Sequence, residues 1–164
     1  MKVFLNEIDV SSSSFDSLRI DESDSIRIVY PGSFENSGWC GIFVVQRPDP
    51  EIYAKDSVDW LTKSLFTSRV SDSCNHVISS SNALLPKCAQ GAVPVPNVVD
   101  EFAGLEDFPV TDSSLFVVLK YKRGEFLKDD TRSNAPFVRE TAKGYSEGKI
   151  LGDSRRVIHW LIVW

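Results

Sequence analysis

Residues 35–48 read ENSGWCGIFVVQRP, which places Cys40 between small residues and beside a tryptophan. Such a cysteine becomes a nucleophile when a helix N-terminus or a neighbouring cation lowers its thiol pKa. Here the β-type run Ile42-Phe43-Val44-Val45 follows almost at once, so no helix dipole is at hand. A general base would have to be His76 or His159, the two histidines of the chain. His159 lies inside an apolar run, where a satisfied core or interface histidine is expected rather than a base. Cys40 is therefore expected to pack as a small hydrophobe at the start of a strand. A cysteine-dependent hydrolase built on Cys40 is the chemical alternative.

Cys74, His76 and Cys88 are all metal-ligand types, but they lack the paired C-x-x-C that marks zinc sites. They read as unrelated loop residues. Gly-rich phosphate loops, G-x-S-x-G and H-E-x-x-H are absent from the sequence. Acidic clusters at 21–25, 100–102 and 127–130 fall in turn-like contexts. They read as solvated loop acids, and a calcium site made from them lacks EF-hand spacing. No catalytic residue, metal ligand or cofactor is assigned, and the chain is read as not an enzyme.

Four basic residues are candidate phosphate contacts: Lys122 and Arg123 in YKRGEFLKDDTR, and Arg155 and Arg156 in SRR. Glu125, Asp129 and Asp130 stand beside the first pair, so a mixed-charge solvated loop is expected there. The net charge of −5 is not the footprint of a dedicated nucleic-acid binder. Any RNA binding is expected to be weak and salt-labile.

The elements that must position these residues are mostly strands. SIRIVYP (25–31) alternates, with Ile26, Ile28 and Tyr30 on one side. GIFVVQR (41–47) is apolar on both faces, as in a strand covered on both sides. SLFVVLKYKR (114–123) places Leu115, Val117, Leu119 and Tyr121 on one face, and Phe116, Val118, Lys120 and Lys122 on the other. RRVIHWLIVW (155–164) sets Ile158, Trp160, Ile162 and Trp164 against Val157, His159, Leu161 and Val163. With both faces apolar, that strand is either central in a sheet or has its outer face covered by another subunit. Trp160 and Trp164 are the candidate interface residues. Further strand candidates are 2–8, 17–20, 76–79 and 136–140.

One helix is expected over DSVDWLTKSLF (56–66), with Val58, Leu61 and Leu65 at i, i+3, i+7. Asp56 or Ser57 is the expected cap, and Asp59 the first-turn acid. Prolines 94, 96 and 109 limit the stretch 91–109 to an edge strand and a loop.

The chain has 164 residues, 42% of them hydrophobic and 25% charged. That suits a single globular domain over 1–164 rather than a disordered chain. No apolar run approaches the roughly 20 residues of a membrane span, and Asn6, Glu7 and Asp9 interrupt any signal-peptide core. An odd count of three cysteines, and no Asn-x-Ser/Thr sequon, favour a reducing intracellular origin. Many short strands, Pro- and Gly-rich turns and one helix predict a mainly β fold, a single antiparallel β-sandwich or jelly roll with one short helix.

The order of elements from residue 25 onward resembles the coat proteins of small icosahedral plant RNA viruses, particularly the bromovirus and cucumovirus group. In that family a strand ends in a proline-containing turn, a second apolar strand ends in Arg and Pro, and a short helix follows. SIRIVYP, GIFVVQRP and DSVDWLTKSLF look similar. The family then has an aliphatic-aromatic strand followed by charges, and a closing strand of the form valine-isoleucine-histidine. SLFVVLKYKRGE and RRVIHWLIVW resemble these. The likeness is one of layout. It implies a structural capsid protein that assembles with copies of itself into a virion shell, found in the virion and the host cytoplasm, with weak RNA contact and no membrane. Four Trp and ten Phe give such a subunit aromatic surface for its neighbours. A monomeric β-sandwich interaction or accessory protein of a virus is the alternative.

Overall fold

The run Val157–Val163, apolar on both sides, lies in the interior of a six-stranded sheet and is buried along its whole length. This is a computed structural model. It describes residues 15, 18–29, 40–69, 76–78, 85–86, 94–96, 110–124, 126, 144–152 and 155–163. The elements are β1 (Ser25–Val29), β2 (Cys40–Gln46), α1 (Pro50–Lys63), β3 (Phe66–Arg69), β4 (His76–Ile78), β5 (Leu85–Pro86), β6 (Pro94–Pro96), β7 (Leu115–Arg123), β8 (Gly144–Leu151) and β9 (Val157–Val163). The protein is mainly β. The large sheet runs β1-β2-β9-β8-β7-β3 and is antiparallel throughout. A second sheet runs β5-β4-β6, in which β4 and β6 pair in parallel, unlike the purely antiparallel arrangement expected. Among the described residues the Pro-bounded β6 is an edge strand of that sheet, the position open to proline.

Strand alternation sorts the core onto the two faces of the large sheet. Phe43, Val45, Phe116, Val118, Ile150, Ile158, Trp160 and Ile162 form one cluster, which also holds Val95 of β6. On the opposite face, Ile42, Val44, Tyr145, Leu161 and Val163 cluster with Phe15. There too Val117, Leu151 and Val157 pack against Tyr53 and Trp60 of α1. Trp160 is fully buried in the chain's own core. It is therefore corrected from candidate interface residue to core residue, because a side chain already withdrawn from water has no surface to offer a neighbour. Trp164 lies outside the described residues.

Strand β8, with the sequence GYSEGKIL, is absent from the expected elements, yet every one of its residues is buried. Two glycines and a Glu-Lys alternation hide it. Gly148 is opposite Trp160 in the register. A Cβ added at Gly148 would lie 2.2 Å from the Val117 carbonyl oxygen and 2.7 Å from Trp160 Cζ2. The glycine is what allows the indole to lie against the strand.

The register of β7 shifts between Val118 and Lys120. The extra residue of this bulge reverses the alternation beyond it. Tyr121 thus joins the Phe116 cluster instead of the Leu115 and Val117 face. Lys120 and Lys122 pair with Glu147 and Tyr145, on the face that carries α1.

The helix begins at Pro50, six residues before the expected start. Proline at N1 is preorganised for a first turn, and Asp49 is the N-cap without a side-chain capping bond. Asp59, expected in the first turn, instead pairs with Lys63 at 2.8 Å near the helix end. Phe66 belongs to β3 rather than the helix. Residues 18–20 are not a strand; Leu18 and Ile20 pack onto the second cluster. The candidates at 2–8 and 136–140 lie outside the described residues.

Candidate functional site

On the helix-bearing face a row of ionisable side chains interrupts the apolar core. Glu147 and Lys149 alternate along β8, so both point to that face, and His159 stands opposite Lys149 on β9. All three are buried, Glu147 completely. Lys149 Nζ contacts His159 Nδ1, which requires the lone pair of His159 to lie on Nδ1 and its proton on Nε2. Lys120, re-aimed by the bulge, brings its Nζ to 3.9 Å from Glu147 Oε1. Trp60 of α1 forms the roof: its ring meets His159 edge-on at 6.2 Å, and Lys149 Nζ lies 5.8 Å from its centroid.

Burial governs the electrostatics of this row. It pushes the Lys149 ammonium down to about 8, with Glu147 opposing the shift and Lys120 adding to it. It pushes His159 down to about 2, and the neighbouring Lys149 charge acts in the same direction. His159 is therefore a neutral acceptor in the folded chain, in keeping with a core histidine. A lysine near pKa 8 is close to the state in which amines act as nucleophiles. Lys149 is nevertheless only 4% exposed, so a substrate has no approach to it in this conformation.

The opposite side of α1 shows the reverse imbalance. The sequence expectation was a core-facing row of Val58, Leu61 and Leu65. Instead Val58 is 63% and Leu65 62% exposed, Leu61 is exposed as well, and no helix residue is fully buried. Tyr53 and Trp60, themselves an i, i+7 pair, face the sheet instead. The larger aromatic surfaces win the contact with Leu115, Leu119, Leu151 and Val157.

The four basic candidates do not form one patch. Lys122 and Arg123 lie near the C-terminal end of β7, while Arg155 and Arg156 precede β9. The register puts Lys122 level with Tyr145 and Val163, and Arg156 just before Val157. These positions are at opposite ends of the sheet, roughly 20–25 Å apart at the rise of a strand. Lys122 Nζ lies 5.7 Å from the Phe126 ring centroid, and Arg123 Nε donates to Tyr121 Oη at 2.9 Å. Arg155 is exposed with a left-handed φ of 56°, and Arg156 is half-buried.

Cys40 opens β2 and pairs with Val163, whereas His159 pairs with Val44. Four strand positions, about 13 Å, therefore separate the two residues, and they form no dyad. Cys74 and Cys88 lie outside the described residues, and of His76 only the backbone in β4 is described. Among the described residues no group of three His, Cys, Asp or Glu side chains is placed to hold a metal ion. No helix among them is long and apolar enough to cross a membrane.

Sequence reasoning missed Glu147, Lys149 and Trp60. The only signal was the alternation Tyr145, Glu147, Lys149, Leu151, which reads equally as a solvent-facing strand. No family model, curated protein or solved structure matches the chain.

Proposed function

We propose that the chain is a structural viral coat protein that assembles with copies of itself into a shell. The observation that carries this reading is the exposed apolar row formed by Val58 and Leu61 of α1 and Leu65, two residues past its end. A helix that turns two aromatics inward and an aliphatic row outward has a second surface to cover, and contact with another subunit removes that row from water. Ile52 of the same helix and Ile26 of β1 are exposed apolar side chains as well. Among the described residues β1 and β3 are the edges of the large sheet, and unpaired strand edges can also receive a neighbour.

A jelly-roll-like sandwich is the architecture proposed for this subunit. Its support is Val95, through which the small sheet joins the core of the large one. The resemblance in element order to the coat proteins of small icosahedral plant RNA viruses supplies the class of assembly, and the virion and host cytoplasm as its places.

The test is sedimentation velocity with electron microscopy of the full chain, alone and as Val58→Asp/Leu65→Asp. Large closed particles that the double variant converts to folded small species would support the reading. A wild-type chain that stays monomeric at high concentration overturns it and favours the monomeric accessory protein. Particles that the variant leaves unchanged would remove the helix row from the argument.

A further inference from the structure

Helix α1 turns Tyr53 and Trp60 to the sheet and leaves Ala54, Val58 and Leu61 exposed on another face. These three positions are spaced i, i+4, i+7, so they form one stripe along the helix. The stripe is small in the N-terminal half of the helix, at Ala54, and large near its end, at Leu61. Its flank on the side away from the sheet carries both signs of charge, Lys55 and, one turn later, Asp59, each exposed. Among the described residues Lys55 is in no ion pair. Asp59 is shared: its Oδ2 accepts from Lys63 Nζ at 2.8 Å, and both groups of that pair are well exposed. Such an i, i+4 pair is worth little, and Asp59 Oδ1 accepts no hydrogen bond among the described residues.

This surface is its own complement. A two-fold axis brings one patch against the same patch of a second copy. With the two helices antiparallel and the axis beside Val58, the Val58 side chains meet at the centre. Leu61 of each copy then lies over Ala54 of the other, a large side chain over a small one. Lys55 of each copy comes level with Asp59 of the other to within about one residue, roughly 1.5 Å of helix rise. The helix dipoles oppose each other as well. A parallel pair instead sets Lys55 against Lys55 and Asp59 against Asp59, and like charges repel.

We propose that α1 docks antiparallel on α1 of a second copy, about a two-fold axis beside Val58, so that the apolar stripe is closed and Lys55 of each copy pairs with Asp59 of the other. This contact presupposes the self-assembly proposed above and is one of its joints. A few apolar side chains cover only part of the roughly 800 Å² per partner of a standard interface. The pair alone is therefore weak and concentration-dependent, and further contacts in a closed shell add avidity.

The test is sedimentation velocity of the full chain over a concentration series, for the wild type, Lys55→Asp, Asp59→Lys and the double exchange Lys55→Asp/Asp59→Lys. Each single variant sets like charges against each other twice at the antiparallel contact. It should raise the concentration for half-association about tenfold, since the symmetry counts each small surface effect twice. The two single variants change the net charge in opposite directions, so a loss in both is not an effect of net charge. The double exchange restores opposite charges across the axis and should return association to near the wild-type concentration. Far-UV circular dichroism and thermal melts confirm that each variant is folded. Lys55→Gln and Asp59→Asn, which only remove a charge, replace any reversal that unfolds, with smaller losses expected in each. Single variants that associate like the wild type, or a double exchange as weak as the singles, overturn the antiparallel contact, while wild-type particles leave the coat-protein reading standing. A wild-type chain that stays monomeric at every concentration overturns both.

Discussion

Lys149 donates from Nζ to Nδ1 of His159 across the β8–β9 pair, and both side chains are buried beneath Trp60. The contact works only while the imidazole is neutral. It joins the two central strands at a point where the surrounding core is aliphatic and aromatic.

The first prediction concerns acid. The folded pKa of His159 lies near 2, far below the ordinary 6.5. The unfolded chain therefore binds a proton below pH 6.5 that the folded chain refuses, and stability is lost as pH falls through that window. Between pH 6.5 and 5 the loss should be about 2 kcal/mol. His159→Asn keeps an acceptor for Lys149 and removes the titration, so its melting temperature should be flatter over this range. An unchanged slope in the variant would assign the acid sensitivity to other groups.

Glu147 is the anion that makes a buried Lys149 tolerable. Glu147→Gln removes that charge while Lys149 and Lys120 keep theirs. The expected loss is about 3 kcal/mol, toward the low end for a broken buried pair because Lys120 retains access to water. In the variant the Lys149 pKa should fall further below 8, since the carboxylate is the influence raising it. Urea denaturation gives the first quantity and NMR titration of the lysine the second.

Gly148→Ala should be severely destabilising, by about 3 kcal/mol or more, because the new methyl meets a backbone oxygen as well as the indole. Pairing it with Trp160→Leu relieves only the contact with the indole. The double variant should therefore not recover wild-type stability in thermal melts. Full recovery would place the conflict at the indole alone.

At Arg155 the left-handed φ of 56° costs a non-glycine residue about 1–2 kcal/mol. Arg155→Gly should raise the unfolding free energy by about 0.5–1 kcal/mol after the added unfolded-state entropy of glycine is subtracted. A loss in chemical denaturation would show that the Arg155 side chain contributes more than its backbone costs.

The sequence alone determined the mainly β class and five strands, β1, β2, β4, β7 and β9, because period-two alternation and β-branched runs are local signals. It also determined that β9 must be covered on both faces. The covering strand β8 was not legible, since its glycines and its Glu-Lys alternation acquire meaning only from neighbours: Gly148 from the indole of Trp160, and Glu147 and Lys149 from each other, His159 and Lys120. The helix was legible as a helix, but its orientation was not. Two apolar sets share one turn periodicity, and the choice of Tyr53 and Trp60 over Val58, Leu61 and Leu65 was made by the surface they met. The faces of β7 beyond Val118 were set by a bulge, which the local pattern does not encode. The tertiary structure likewise decided that Arg156 belongs with Arg47, Ser23 and Ser25 at one end of the sheet and Lys122 with Phe126 at the other, because strand order and direction, rather than residue type, fix which side chains share an end.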